Sequence, residues 1–201
     1  MIKELSEKDL FQVAKIHKEN LPSFLTEYPL SFIEKFYYFQ IKRENQLLLG
    51  KIENGKLLGF VFGTDNVEKL YDNFISENKS YFYMNTFKTL LFHPKYFLLF
   101  AAKFFSKSFV SECKRQLVYI AVDQNLKTKG IGSELLQAFE EKWKGLNYYE
   151  LEVESKNKAF DFYLKKGFYI VHQYNNWVEK KYLLGKYLHL LIIFTICNGI
   201  G

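Results

Sequence analysis

Apolar and polar positions alternate along this chain in several rhythms, and each rhythm predicts an element. Ile2 to Leu5 reads as a short strand. Ser6, with Asp9 three residues on, approximates a capping box, and Leu10, Val13, Ala14 and His17 then follow at helical spacing. That helix is expected to reach about Asn20, with Pro22 ending it. A second begins at Ser31, where Glu34 completes an S-x-x-E box, and carries Phe32, Ile33, Phe36 and Tyr37 to about Arg43. Two apolar runs, Gln46 to Ile52 and Lys56 to Gly63, flank Glu53-Asn54-Gly55; Asn-Gly supplies the positive-φ positions of a type I′ turn, so the three segments read as a hairpin.

Residues 64–116 read mostly as helix, rich in rings at Tyr81 to Tyr83 and Phe97 to Phe109, with Pro94 splitting the stretch. Leu117 to Val122 is an apolar strand, and the loop from Asp123 to Lys129 leads into Gly130-Ile131-Gly132. Ile131, Leu135, Leu136, Phe139 and Trp143 then share one helical face, which Gly145 is placed to stop. Tyr149, Leu151 and Val153 alternate with Glu150, Glu152 and Glu154, the period of a strand. Asn157 opens a short helix from Ala159 to Lys166, closed by Gly167. Phe168 to Val171 and Trp177 to Leu184 read as two strands joined through Asn175-Asn176.

Composition narrows the class. A chain of 201 residues, 48% hydrophobic and 25% charged, suits one ordered domain, and 19% aromatic residues predict a core built of rings. Two cysteines, Cys113 and Cys197, make neither a disulfide framework nor a zinc knuckle; a reducing compartment and no metal are expected. The opening MIKELSEKDL lacks the apolar run of a signal peptide, so a cytoplasmic location is expected. The net charge of +6 is evenly spread: residues 1–110 carry 15 Lys/Arg against 12 Asp/Glu, and residues 111–201 carry 13 against 10. Arg43 and Arg115 are the only arginines, whereas surfaces that read nucleic acid lean on arginine forks; no nucleic-acid partner is expected.

The chemistry concentrates where a strand, a loop ending in two glycines and a helix follow one another. The first amides of a helix have no intrahelical acceptor and sit at the positive end of its dipole, so this arrangement suits a phosphate. Lys127 and Lys129 add charge beside it. No Gly-Lys-Ser/Thr follows, which excludes a Walker loop, and Leu135 stands where a dinucleotide-binding fold has its third glycine.

The run Val122-Asp123-Gln124-Asn125-Leu126-Lys127-Thr128-Lys129-Gly130-Ile131-Gly132-Ser133-Glu134-Leu135-Leu136 resembles the acyl-CoA-binding motif of the GNAT N-acetyltransferases, Arg/Gln-x-x-Gly-x-Gly/Ala between a strand and a helix with Leu-Leu. Lys127 replaces the usual Arg or Gln, keeping a cation without the planar fork. A second block, Asn157 to Phe168, is similar to the family's N-x-x-A-x-x-F-Y-x-x-x-G-F segment. The resemblance implies an α/β fold: a mixed, mostly antiparallel central sheet flanked by helices, with a helical insertion between the third and fourth strands. One such domain is expected over residues 1–186, with 64–116 as the insertion and 187–201 as an apolar tail. It also implies transfer of an acetyl group from acetyl-CoA, the cosubstrate, to a primary amine by direct attack. Main-chain groups near Ala121 and Val122 are expected to pair with the pantetheine arm and polarise the thioester carbonyl. The amides of Thr128, Lys129, Gly130, Ile131, Gly132 and Ser133 are expected to hold the diphosphate beside Lys127. Asn157 is expected to hydrogen-bond the pantetheine, and Tyr163 to protonate the departing thiolate.

A base is harder to assign. Several family members carry a glutamate on the strand equivalent to 117–122; here Tyr119 is the only side chain on it with a titratable proton. Glu152, Glu154, Glu27 and His17 are the other candidates, each also readable as a solvated or structural residue. The insertion interrupts Phe87, Leu90, Leu91, Phe97, Leu98, Phe100, Phe104 and Phe105 with Lys88, Lys95, Lys103 and Lys107. That mixture suits a cap packed on the sheet that walls an acceptor pocket. The packed cap is the favoured expectation, since ring stripes at helical spacing are usually core; the mixture also suits a surface through 81–109 resting on anionic lipid at the inner membrane face, where the acceptor would be an amino sugar or lipid-linked glycan precursor. Leu188 to Cys197 is too short to span a bilayer and suits a last strand, a homodimer contact or a lipid-seeking end. Two other classes compete with the enzyme: a non-catalytic acyl-CoA-binding module, and a basic membrane-surface protein whose glycine turn is only structural.

Overall fold

The computed structural model describes residues 1–92, 111–126, 128–143, 145, 147–175 and 180–188. Seven strands form one sheet: β1 (Ile2–Glu4), β2 (Gln46–Glu53), β3 (Lys56–Thr64), β4 (Gln116–Val122), β5 (Tyr148–Glu154), β6 (Tyr169–Asn175) and β7 (Lys180–Tyr187). Their order is β1-β2-β3-β4-β5-β7-β6, and every neighbouring pair is antiparallel except β4 and β5. The β2–β3 hairpin turns on Asn54 and Gly55 with φ of 50° and 76°, the left-handed pair that a two-residue turn demands.

Alternation divides the sheet's side chains between two cores. On one side α1 (Leu10–Asn20) and α2 (Leu30–Ile41) cover Leu48, Leu57, Phe60 and Phe62. On the other, α5 (Ile131–Lys142) and α6 (Ala159–Lys165) cover Leu49, Val61, Leu117, Tyr149, Leu151 and Leu184. Glu140 locks α5 to the sheet: its carboxylate accepts from the Tyr149 hydroxyl at 2.7 Å and from Lys186 at 2.6 Å.

The insertion between β3 and β4 contributes α3 (Val67–Glu77) and α4 (Lys79–Phe92). Asn66 caps α3, its side-chain oxygen accepting from the Lys69 N–H at 3.2 Å. Phe74 packs its ring 5.5 Å from Phe32, Phe36 and Phe39, and Tyr81 stacks on Phe32. The Tyr28 and Thr86 hydroxyls share a buried hydrogen bond of 2.7 Å. These two helices are therefore part of the first core.

Several boundaries differ from the sequence reading for local reasons. The first helix opens with a 3-10 turn, Glu7–Asp9, in which the Asp9 carboxylate accepts from the Ser6 N–H at 2.9 Å. Ser31 is not the cap of α2: the carbonyl of Pro29 already accepts from Phe32 and Ile33, so the helix begins one residue earlier. β6 runs past Val171 to Asn175, and β7 runs past Leu184 to Tyr187, followed by a bond from the Leu188 N–H to the Asn147 carbonyl. Pro94, Phe97 to Phe109, the turn at Asn176, Trp177 and the tail from His189 lie outside the described residues.

If α3 belongs to the core, Phe74→Ala should leave a cavity among three rings and cost about 3–5 kcal/mol. Urea unfolding checks this; a loss within that of an ordinary surface substitution would detach the insertion from the core.

Candidate active site

β4 and β5 touch and then part. Their pairing has one register position, Gln116 opposite Glu150, with the Glu150 N–H donating to the Arg115 carbonyl at 3.1 Å. β5 instead pairs with β7 from Tyr148 to Glu154, and β4 with β3 along its length. From Leu117 onward the edge of β4 that faces β5 has no strand partner among the described residues. The bond from the Asp123 N–H to the Leu58 carbonyl, 2.9 Å, sets the alternation along β4. Ala121 thereby turns its main-chain groups toward β3, while Ile120 and Val122 present theirs to the parted edge. Of the two residues expected from the sequence, Val122 lies on that edge and Ala121 does not; Ile120 takes the second place. A β-bulge at Val118, between the pairs Phe62–Tyr119 and Gly63–Leu117, sets Val118 and Tyr119 together against the α1–α2 core.

At the same end of β4 the chain turns into α5. The Asp123 carboxylate accepts from the Asn125 main-chain and side-chain N–H groups, both at 3.0 Å, and pairs with Lys56 at 3.1 Å. The Asn125 main-chain bond, together with Lys56, holds that carboxyl below its usual range. The Gln124 N–H donates to the Asn20 side chain at 3.0 Å, tying the loop to α1. Gly130 caps α5 with φ of 92°, and its carbonyl accepts from Ser133 and Glu134. The N–H groups of Gly130, Ile131 and Gly132 meet no acceptor among the described residues, as the start of a helix requires. Ile131 is buried and anchors the turn, while Thr128 and Lys129 are exposed and Ser133 half-buried. A Cβ on Gly132 would approach only Val122 and Phe162, at 3.9 and 4.0 Å, so the surface above it is open. Lys127 lies outside the described residues.

Asn157 stands just before α6 and Tyr163 lies within it. The Asn157 side-chain oxygen accepts from the Ala159 N–H at 2.9 Å, which commits it to the helix start and leaves its NH2 as the donor. Tyr163 packs its ring 5.3 Å from Phe162 and 5.4 Å from Phe168, in the same core as Ile120 and Val122. Its hydroxyl has no hydrogen-bond partner among the described residues, and burial holds its proton above the usual phenol range.

The opposite side of the parted strands is lined by hydroxyls. His17 is fully buried; Nδ1 bonds the Tyr37 hydroxyl at 2.7 Å and Nε2 the Ser23 hydroxyl at 2.9 Å. Burial lowers its pKa to about 3, so the ring is neutral and both nitrogens are occupied. Of the base candidates, His17 is thus a core hydrogen-bonding residue. Tyr119 packs edge-on to His17 at 4.6 Å and shares a 2.6 Å hydrogen bond with Tyr71 of α3. Its burial keeps it protonated well above the usual range. Glu27 lies in a 3-10 turn, Phe24–Glu27, and Glu154 at the end of β5. Glu152 is exposed, on the β5 face opposite Leu151 and Val153; burial raises the hydroxyl pKa values of Tyr71 and Tyr174, and the Glu152 charge adds to it. Nothing in the sequence pointed to Tyr71, which is 48 residues from Tyr119.

Among the described residues no group of three or more His, Cys, Asp or Glu is placed to hold a metal ion. No curated protein matches the chain in sequence. Among solved structures, the chain resembles the ribosomal-protein-S18-alanine N-acetyltransferase of Escherichia coli at 18% identity and a TM-score of 0.59, over 94% of this chain and 93% of that one. It also resembles Ard1 from Thermoplasma volcanium, at 19% identity and a TM-score of 0.57 over 93% and 96% of the two chains. PaiA N-acetyltransferase from Thermoplasma acidophilum, in complex with coenzyme A, aligns at 19% identity and 0.55 over 93% and 98%. Residues 94–180 match the family model described as acetyltransferase (GNAT) domain. Residues 94–180 are thus similar to an acetyltransferase (GNAT) domain, and the mixed sheet is the fold that the chain shares with these N-acetyltransferase structures.

Proposed function

We propose that the chain acetylates a primary amine of a small molecule or glycan precursor, by direct attack of the amine on the donor thioester. The observation that carries this reading is the parted β4–β5 edge, which opens beside the uncapped amides of α5. Both features fit the donor: unpaired main-chain groups suit an amide-bearing arm, and helix-start amides suit a diphosphate. Acetyl-CoA supplies the acetyl group as a thioester. The Ile120 and Val122 groups align the arm and polarise the carbonyl, and the amides of Gly130 to Gly132 hold the diphosphate, with Thr128, Lys129 and Ser133 beside them. Asn157 donates its NH2 to the arm.

Proton transfers run on the two sides of the parted strands. The acceptor enters as an ammonium and must lose a proton before its nitrogen can bond the carbonyl carbon. Glu152 takes that proton: it is an exposed carboxylate in the middle of β5, on the face opposite Leu151 and Val153, whereas His17 and Tyr119 are held in forms that accept none at neutral pH. Tyr163 gives its hydroxyl proton to the sulfur as the carbon–sulfur bond breaks; burial keeps that proton on the hydroxyl until then. Tyr71 of α3 meets Tyr119 on the acceptor side, and this cover is the feature that favours a small amine. The E. coli structure of similar fold belongs to an enzyme named for a protein alanine, which makes a peptide α-amine the second reading. Thiol release from acetyl-CoA with a panel of small amines and N-terminal peptides separates the two, and turnover with peptides alone would exclude the first.

Gly130→Val forces a β-branched residue into φ of 92° at the cap. Coenzyme A affinity by calorimetry should fall by about tenfold or more, while circular dichroism stays native. Unchanged affinity would remove the loop from the donor site.

Tyr163→Phe should lower kcat by about a hundredfold with little change in KM for acetyl-CoA. Glu152→Gln should show a similar loss near neutral pH. That loss should shrink as pH rises toward the acceptor's own pKa, where the amine arrives already deprotonated. An equal deficit at every pH would refute Glu152 as the base.

A further inference from the structure

α4 is apolar on two opposite sides. Its inner side supplies Phe82, Thr86 and Thr89 to the contact with the first core. Its outer side carries Tyr83, Phe87 and Leu91 at successive turns, 63%, 65% and 65% exposed, flanked by Met84 and by Phe92 at 80%. A helix apolar all round is ordinarily covered all round, and a contiguous exposed apolar surface marks an interaction site.

Charge indicates what covers it. No Asp or Glu occurs between Glu77 and Glu112, and the charged residues there are Lys79, Lys88, Lys95, Lys103 and Lys107, so this stretch holds five of the six net positive charges. It also holds 11 of the chain's Phe and Tyr residues. We propose that the outer face of α4 docks on an anionic lipid bilayer. Rings of this type settle at the headgroup level, and lysines among them extend their ammonium groups to lipid phosphates. A second copy on the same face would bring the Lys79 and Lys88 of two α4 helices together with no carboxylate on either helix. No helix among the described residues is long and apolar enough to cross a membrane, so the contact lies along the surface. The face belongs to the insertion that also supplies Tyr71, so docking would bring the acceptor side of the sheet to the lipid.

Flotation of the full chain tests this, using vesicles of phosphatidylcholine alone and of phosphatidylcholine with phosphatidylglycerol. The chain should rise with the anionic vesicles, less so in high salt, and stay below with the neutral ones. Phe87→Glu combined with Leu91→Glu should weaken the anionic binding by about tenfold or more, with coenzyme A affinity unchanged. Retention of the unsubstituted chain in the soluble fraction with anionic vesicles would overturn the proposal, whatever the variant does. So would equal flotation of the double variant, or a dimer in sedimentation that Phe87→Glu dissociates without any vesicle binding. Coenzyme A binding is read separately, so either reading can fail without the other.

Discussion

Main-chain N–H and C=O groups inside a sheet must find partners, and among the described residues β4 has no strand partner on one edge after Gln116. Two antiparallel blocks, β1 to β4 and β5 to β7, are joined through a single position and splay from it. Each block satisfies itself on its far side, so neither must close the gap. The bulge at Val118 adds twist at the point where the strands separate. Unpaired groups at such a place are costly in an empty protein and become useful when an amide-bearing ligand completes the ladder.

The gap also separates two electrostatic environments. On one side Tyr163 sits among rings with a hydroxyl that burial keeps protonated. On the other a neutral His17, hydrogen-bonded at both nitrogens, supports Tyr37 and packs against Tyr119. Groups whose protonation is fixed by burial make a stable wall and poor bases.

The insertion joins these features to the outside. α3 brings Tyr71 to Tyr119 and buries Phe74 among the rings of α2, so its inner side is as much core as any element. α4 packs with Thr86 against Tyr28 and turns Phe87 and Leu91 outward. One insertion thus belongs to the first core and carries an exposed apolar face of its own.

The amino-acid order alone determined the elements whose signals are local. Asn54-Gly55 specified the hairpin because only such residues take two left-handed positions, and Gly130 marked the start of α5 for the same reason. The glutamates at 150, 152 and 154 marked β5 by their period of two, and the second motif block placed Asn157 before α6 and Tyr163 on it. Boundaries shifted where a carbonyl found donors, as Pro29 did ahead of Ser31. What no local pattern contains is which edge of β4 is free. That depends on β5 choosing β7 as its partner, and it makes Ile120 rather than Ala121 the companion of Val122. The fate of His17 and the meeting of Tyr71 with Tyr119 were likewise decided only by packing, since burial and long-range contact belong to the folded chain and not to its order.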